Sequence, residues 1–547
     1  MIAVRRAQQL ALLAGGRFDL LIIGGGIVGA GIARDAAMRG LKAALVEQGD
    51  FAGGASSKTS KLIHGGLRYL EHGHLRLVFE SLRERRTLKT IAPALVHPLP
   101  LMVPVYQGGA RPAWKVSLGL SLYDLLAWGR NTRSHRMVPA RKAVALESEL
   151  RQEGLRAAGV FQDCQMDDAR LCLANILQAA AFGAVCCNYV RLRALLKSGG
   201  RVCGGAVEDI DTGRSIEVQA RVVVNAAGPW ADRVRQLSDA SAAQRLAPTK
   251  GSHLILPRLT QHALFVEARK DRRMFFILPW GEHSLVGTTE RLVDGALEDL
   301  RASSDEVGYL LEEVQRALPG RHLTEDDVIA TYAGARPLLA YAGTSSRASR
   351  EHRIEEDQAG LVSVMGGKYT TYRLMAQQAV DGLMRRHHWT GDRCLTDQIS
   401  VLEAVHPVTA DHWQDITRTI DPDLLARLLT RYGAAAARIL QLLAREPALG
   451  RRVCLHHEEI AAEIVHAFEQ ELACTVTDVL ARRTRIAWSS CQGLDLLSTV
   501  VDLFQRYGGL TEEQVAAQVD AYHRFLGGSL GFRQAALSSK RWAGDGG

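Results

Sequence analysis

Residues Phe18 to Glu47 read FDLLIIGGGIVGAGIARDAAMRGLKAALVE. Phe18 with Leu20 to Ile23 is a short apolar run of the kind that forms a buried strand. Gly24-x-Gly26-x-x-Gly29 follows at once, and a helical pattern runs from about Ile27 to Arg39 before Gly40 stops it. A second apolar run, Leu41 to Val46, ends on an acid, Glu47. This is a βαβ unit in which each glycine has a mechanical task. Gly24 permits the turn out of the strand, Gly26 lets backbone approach a pyrophosphate, and Gly29 lets the helix lie close to the sheet. The helix N-terminus presents free N–H groups and a positive dipole end to phosphate. Glu47 stands about 20 residues past the glycines, where a carboxylate binds ribose hydroxyls. The combination predicts a dinucleotide site.

Outward from this unit, Asp50 to Leu70 reads DFAGGASSKTSKLIHGGLRYL. Ser56, Ser57 and Ser60 are candidates to hydrogen-bond a pyrophosphate or a ribityl chain, and small residues such as Gly66 leave room for a cofactor against the backbone. A long polar loop directly after a dinucleotide unit belongs to the site more often than to a plain surface. Helical periodicity covers about Leu75 to Ile91. The strongly apolar stretch Trp114 to Trp128 reads as a packed core helix, with a membrane-facing surface as the alternative. Asp167 and Asp168 suit a helix N-terminus. Val202 to Ala220 alternates around Asp211-Thr212-Gly213 as a hairpin, and Arg221 to Trp230 is a separate buried strand that breaks at Ala227-Gly228.

The next segment changes character. Short strands at 246–257, 263–268, 274–280 and 284–289 predict an antiparallel sheet inserted between pieces of the first domain, and Ser303 and Glu306 form a capping box. Leu361 to Met365 is a last buried strand, running into Gly366-Gly367-Lys368 and a helix to about Arg385: a second glycine turn at a helix start. After a linker near 390–408 the pattern is helical, with Asp421-Pro422 as a helix start. The expected architecture is α/β. A Rossmann-like domain has pieces at about 17–100, 160–235 and 355–390. An interleaved sheet domain has pieces at about 100–160 and 240–355, and an all-α domain covers 405–530.

Bulk properties bound the class. The chain has 547 residues, 47% hydrophobic and 23% charged, enough for two or three domains. A net charge of +8 favours anionic partners such as phosphorylated substrates or lipid surfaces. No basic, aromatic-lined surface for nucleic acid is evident. The nine cysteines show no CxxC pairing, which reads as reduced thiols, including adjacent Cys186 and Cys187. Cys454 with His456 and His457 lacks a second ligand pair and reads as the start of a helix; no metal site is expected. No run approaches the ~18 apolar residues of a membrane span. The first 17 residues read as a short surface arm, and the protein is expected in the cytoplasm.

Several motifs, in one order along the chain, resemble those of FAD-dependent glycerol-3-phosphate dehydrogenases, within the broader D-amino-acid-oxidase type of flavin oxidoreductase. They are ASSKTSKLIHGGLRYLE (Ala55 to Glu71), DDARL (Asp167 to Leu171), NAAGPWAD (Asn225 to Asp232), PTKGSH (Pro248 to His253), GTT (Gly287 to Thr289), GARPL (Gly334 to Leu338), GGKYTTYR (Gly366 to Arg373) and LARRTR (Leu480 to Arg485). The similarity runs from about residue 17 to 525.

The resemblance implies FAD as cofactor, sn-glycerol 3-phosphate as substrate and a respiratory quinone as acceptor. It also implies an enzyme lying on the inner face of the membrane; a homodimer is a further expectation. An oxidase using oxygen, or an FAD enzyme of 2-hydroxy or amino acids, are the alternatives. Oxidising a secondary alcohol removes a hydride and a proton, and a phosphate dianion calls for guanidinium forks. Arg68, Arg336 and Arg350 are the phosphate candidates; Arg336 is alternatively a structural ion pair and Arg350 part of an exposed loop. Tyr69 lines the pocket or the core. Thr289 bonds substrate or merely ends a strand. Lys368, with the helix dipole, stabilises charge on the reduced flavin or touches substrate. His253 is the candidate proton acceptor, or a core histidine.

Overall fold

The computed structural model describes residues 2–129, 131, 133–340, 351–402 and 420–533. The first strand, Arg17–Ile23, lies between two parallel neighbours, Ala43–Val46 and Ser215–Asn225. Leu20, Leu21 and Ile22 are wholly buried, because a parallel strand is covered on both faces. Each such side chain contributes about 1.5–3 kcal/mol. The sheet has eight strands, with the path His352–Glu356, Val362–Gly366, Ser215–Asn225, Arg17–Ile23, Ala43–Val46, Val185–Cys187 and a meander, Val190–Ser198 and Arg201–Asp209, on its side. Ser215–Asn225 is one strand where the sequence suggested a hairpin arm and a separate strand; its outer half is exposed in alternation and its inner half continuously buried.

The glycine helix, Ile27–Met38, is almost entirely buried and packs against the helices Asp168–Ala181 and Tyr372–His387. Its small residues make this possible: a Cβ on Gly31 would stand 2.9 Å from the Tyr372 ring. Asp167 caps the Asp168 helix by accepting from the Arg170 N–H.

The second sheet has ten strands. Near one edge, Thr249–Pro257 is antiparallel to His283–Gly287 on one side and Ala330–Arg336 on the other. One pairing, Ala263–Glu267 with Val96–Tyr106, is parallel, so the sheet is mixed rather than wholly antiparallel. It also takes in Leu62–Ile63 and the whole of Leu155–Met166, of which Leu62–Ile63 and the residues after 160 were expected in the cofactor domain. The capping box at Ser303 and Glu306 opens the helix Ser304–Ala317 against one face.

Two expectations fail. The helix Ala113–Ala127 is not a packed core helix. Val116, Leu120, Tyr123 and Ala127 are buried, but Trp114, Leu118, Leu125 and the following Trp128 are each at least 60% exposed. The N-terminal segment is not a surface arm but a docked helix, Ile2–Gly15. Leu10 and Leu13 pack on the first sheet, Ile2 enters the C-terminal core, and Arg5 donates to Phe468 O.

The C-terminal helices include Pro422–Tyr432, Ala436–Arg445, Ala461–Glu469 and Glu512–Ser529, around their own core. Asp421 caps the first of these. Two clusters, buried except at Arg485, join this unit to the cofactor sheet. Asp50 accepts from Arg482 (2.5 Å) and, through both oxygens, from Arg483 (2.7 and 2.8 Å). Arg170 pairs with Glu471 (2.5 Å), and Arg485 with Asp167 (3.0 Å).

Candidate active site

One cavity of about 930 Å³ runs from the glycine turn to the second sheet. At the turn, Gly24 has φ +112°, and a Cβ there would stand 2.6 Å from Ala226 O. A Cβ on Gly29 would stand 1.9 Å from Gly24 O, so strand and helix meet only because both residues are glycine. Gly26 precedes the helix with no side chain to cap it, and the Ile27 N–H donates to Ser56 Oγ (2.9 Å). Glu47 accepts from the N–H of Gly25 (2.7 Å) and of Gly49 (2.8 Å), holding the turn and the loop after it together. Burial pushes its carboxyl pKa up, opposed by those two bonds.

Gly24, Gly26, Glu47, Ser56, Ser60, Gly66, Ala227, Gly228, Gly366, Gly367 and Lys368 all border the cavity. Gly29 acts behind it through the helix. Ser57 does not border it; its carbonyl accepts from Lys61 Nζ (2.6 Å), which pairs with Asp168 (2.6 Å). The loop is therefore pinned to the Asp168 helix through its backbone.

The other end of the cavity is built by the second sheet. The pairing of Thr249–Pro257 with Ala330–Arg336 sets His253 opposite Tyr332 and Thr249 opposite Arg336. The His253 ring stacks on Tyr332 with 4.9 Å between centroids, and its Nε2 is 2.8 Å from Ser60 Oγ. Burial, then the charges of Arg336 and Lys61, hold the imidazole well below its usual range, so it is neutral. Arg336 donates to Thr288 Oγ1 (2.9 Å). Arg336 and Arg68 both approach Glu290, each at 3.8 Å, so two guanidiniums converge on one anionic group.

Lys368 Nζ lies 3.7 Å from the Tyr69 ring centre and donates to Ser81 Oγ (3.2 Å). Tyr69, Arg68 and His64 border the same space. Thr289 does not: its hydroxyl donates to Glu306 (2.7 Å) and accepts from Ser252 N–H (3.0 Å), a structural role, and Thr288 takes its place at the cavity. Arg350 lies outside the described residues. Thr288, Asp163 and, from the C-terminal unit, Arg482 also line the space, and sequence reasoning missed all three. Asp163 is held by Arg85 and Tyr123, whose hydroxyl accepts from Gly65 N–H (2.8 Å).

The geometry is that of a flavin-dependent oxidoreductase. The profile of the family described as "FAD dependent oxidoreductase" matches residues 19–373, and that described as "C-terminal domain of alpha-glycerophosphate oxidase" matches residues 394–515. A glycerol-3-phosphate dehydrogenase of Synechocystis is 36% identical over 532 residues, covering 93% of this chain and 96% of that one. The human mitochondrial glycerol-3-phosphate dehydrogenase is 33% identical, over 97% of this chain and 76% of its own. The solved glycerol-3-phosphate dehydrogenase from Bacillus halodurans, complexed with FAD, has a TM-score of 0.79 at 27% identity, covering 97% and 99%. The chain belongs to the FAD-dependent glycerol-3-phosphate dehydrogenase family. Its cofactor is FAD, and the glycine cradle fits that group.

Proposed function

We propose that this chain oxidises sn-glycerol 3-phosphate to dihydroxyacetone phosphate and passes the electrons to a respiratory quinone at a membrane surface. The observation that carries the substrate is the convergence of Arg336 and Arg68 at the far end of the cavity from the glycine turn. Guanidinium forks match a phosphate dianion. The names of the relatives add independent support.

In this reading Gly24, Gly26 and Ser56 hold the pyrophosphate and Glu47 the ribose. The backbone at Gly66, Ala227, Gly228, Gly366 and Gly367 receives the rest of the cofactor. Bound there, FAD would supply the hydride acceptor for the carbinol carbon. Lys368 supplies the positive charge that reduction calls for. Arg336 and Arg68 fix the phosphate and thereby the distance of that carbon from the flavin. His253 Nε2, beside Ser60 Oγ, accepts the hydroxyl proton. The sign of its environment matters. Burial first, then the charge of Arg336, sets the imidazole against protonation. A phosphate dianion on Arg336 offsets that charge, so substrate binding itself raises the basicity of His253.

The electron acceptor rests on the helix Ala113–Ala127. Trp114, Leu118 and Leu125 follow one face of its 3.6-residue repeat and Trp128 stands just past its end, all exposed. Such a face dips into a lipid interface, as a quinone-linked enzyme requires. No helix among the described residues is long and apolar enough to cross a membrane.

The test is anaerobic titration of the FAD-loaded protein with glycerol 3-phosphate, following the visible flavin band. Bleaching, and return of colour with a quinone faster than with oxygen, is the expected result. An unchanged spectrum refutes the substrate, and faster return with oxygen refutes the acceptor.

A further inference from the structure

The helical C-terminal unit holds a cluster of side chains that the flavin chemistry does not use. Residues 452–460 fold back on themselves. Arg452 bridges Ile460, and Val453 N–H donates to Glu459 O (3.0 Å). Cys454 and His457, spaced Cys-x-x-His, sit in this turn, which precedes the helix Ala461–Glu469 rather than starting it. A second loop, after the short turn Ile486–Trp488, brings Cys491 to the same point. The donor atoms of Cys454, His457 and Cys491 all lie within 4.8 Å of one another, and His457 Nε2 is 3.3 Å from Cys491 Sγ.

The backbone around both sulfurs is arranged alike. His456 N–H donates to Cys454 Sγ (3.2 Å), and Gly493 N–H donates to Cys491 Sγ (3.4 Å). In each case the amide two residues on points at the sulfur. The second loop reaches it through two left-handed residues, Gln492 (φ +49°) and Gly493 (φ +69°). Ser489 Oγ lies 2.9 Å from His457 Nε2 and 3.4 Å from Cys491 Sγ, as an outer partner to both. Asp495 faces Cys454 and His457 closely enough to act on both electrostatically, and its side chain is exposed.

We propose that Cys454, His457 and Cys491 bind one zinc ion, with the Asp495 carboxylate or a water molecule as fourth donor. Two sulfurs and one imidazole are a borderline-soft set that suits zinc and not magnesium or calcium. Zinc–sulfur and zinc–nitrogen bonds of about 2.3 and 2.0 Å set tetrahedral donors about 3.5–3.8 Å apart. The cluster is therefore within about 1 Å of a closed site. Binding displaces one proton from each thiol to solvent, and the exposed Leu455 and His456 leave the ion a way in.

The site lies at the seam between the helical unit and the substrate sheet. Gln492 Nε2 donates to Ile329 O (2.9 Å), and Ser490 meets His283 (3.4 Å). Trp488 packs edge-on to Tyr332, the residue on which His253 stacks. The ion thus ties together two loops far apart in sequence and fixes the loop that backs the candidate proton acceptor.

The experiment uses purified, FAD-loaded protein, chelated and then dialysed against zinc, with metal content read per chain by elemental analysis. About one zinc per chain is expected in the parent and in His456→Ala, whose side chain lies outside the cluster. Cys454→Ser and His457→Ala should bind at least ~100-fold more weakly in competition with a chromophoric chelator. FAD content reports whether each variant is folded. Should Cys454→Ser not retain FAD, cobalt substitution of the parent decides instead. Tetrahedral cobalt bands beyond the flavin absorption support the site, and their absence overturns it. Parent protein that takes up no zinc, variants that keep the full complement, or a Cys454–Cys491 disulfide in metal-free protein would each overturn the proposal.

Discussion

Replacing Arg336 by alanine tests the substrate reading most directly. The guanidinium donates to Thr288 Oγ1 at 2.9 Å and approaches Glu290 at 3.8 Å. Truncating one member of a hydrogen-bonded charge pair costs about 2–5 kcal/mol. The Arg336 side chain is 24% exposed, so water screens part of that. The lower part of the range, about 2–3 kcal/mol, corresponds to a fall of about 30- to 160-fold in kcat/KM. Arg68, 39% exposed, should cost less, about 1–2 kcal/mol on the same scale. The assay is the rate of anaerobic flavin reduction by glycerol 3-phosphate and, separately, by glycerol, in protein of equal FAD content. Glycerol lacks the group that Arg336 is said to hold, so its rate should change little, and the preference for the phosphorylated substrate should shrink. A variant that keeps FAD and keeps the parent's preference refutes the phosphate assignment, whatever happens to its absolute rate.

Three other outcomes follow from the same geometry. Asp50→Ala leaves the buried Arg483 and its neighbour Arg482 without their shared carboxylate, at about 3–5 kcal/mol; FAD release and loss of the helical unit should begin at a lower temperature, and unchanged melting with full FAD retention would contradict the clamp. His253 is held neutral in the folded protein, with its pKa below the ordinary 6.5. The unfolded chain therefore gains a proton first as pH falls, so this residue's contribution to stability is complete above about pH 6.5 and declines below it. Melting temperature followed from pH 8 to 5 should lose part of its acid-side slope in His253→Asn, and an identical slope would exclude the assignment. Replacing Trp114, Leu118, Leu125 and Trp128 together by serine should reduce sedimentation with anionic vesicles while leaving flavin reduction by substrate intact; undiminished vesicle binding would remove this helix from the membrane surface.

Much of this was legible in the sequence where one residue type answers one backbone demand. Gly24 and Gly29 are required by contacts of 2.6 and 1.9 Å that any Cβ would make, so their spacing alone announces the turn. Asp167 and Ser303 cap helices for similarly local reasons. Reading failed where the answer depended on register or on distant chain. Thr288 and Thr289 are neighbours at a strand end, and only the partners around Ser252 decide which of them faces the cavity. The helix Ala113–Ala127 carries apolar residues on every side, so periodicity could not reveal which face the sheet covers. Cys491 comes near Cys454 and His457 from a loop whose fold no local pattern encodes.

The helical unit is itself part of the site, and its role explains why several motifs carry charge that no ligand needs. In DDARL, Asp167 bonds Arg485, Asp168 bonds Lys61 beneath the serine loop, and Arg170 bonds Glu471. Against its burial, Asp167 is held at about 2 by Arg485 and then Arg431, and Glu471 likewise at about 2 by Arg170 and then His466. Both carboxylates therefore stay ionised far below neutral pH, and the links they make persist wherever the enzyme works. LARRTR answers from the other side: Arg482 and Arg483 grip Asp50, three residues past Glu47, and Arg482 borders the cavity. The loop that follows the dinucleotide turn is thus held from below by the Asp168 helix and from outside by the C-terminal unit. A cofactor cradle made of glycine backbone has little rigidity of its own. Here the stiffness comes from buried ion pairs supplied by two other parts of the chain, which is why the chemistry of an N-terminal motif depends on residues more than four hundred positions away.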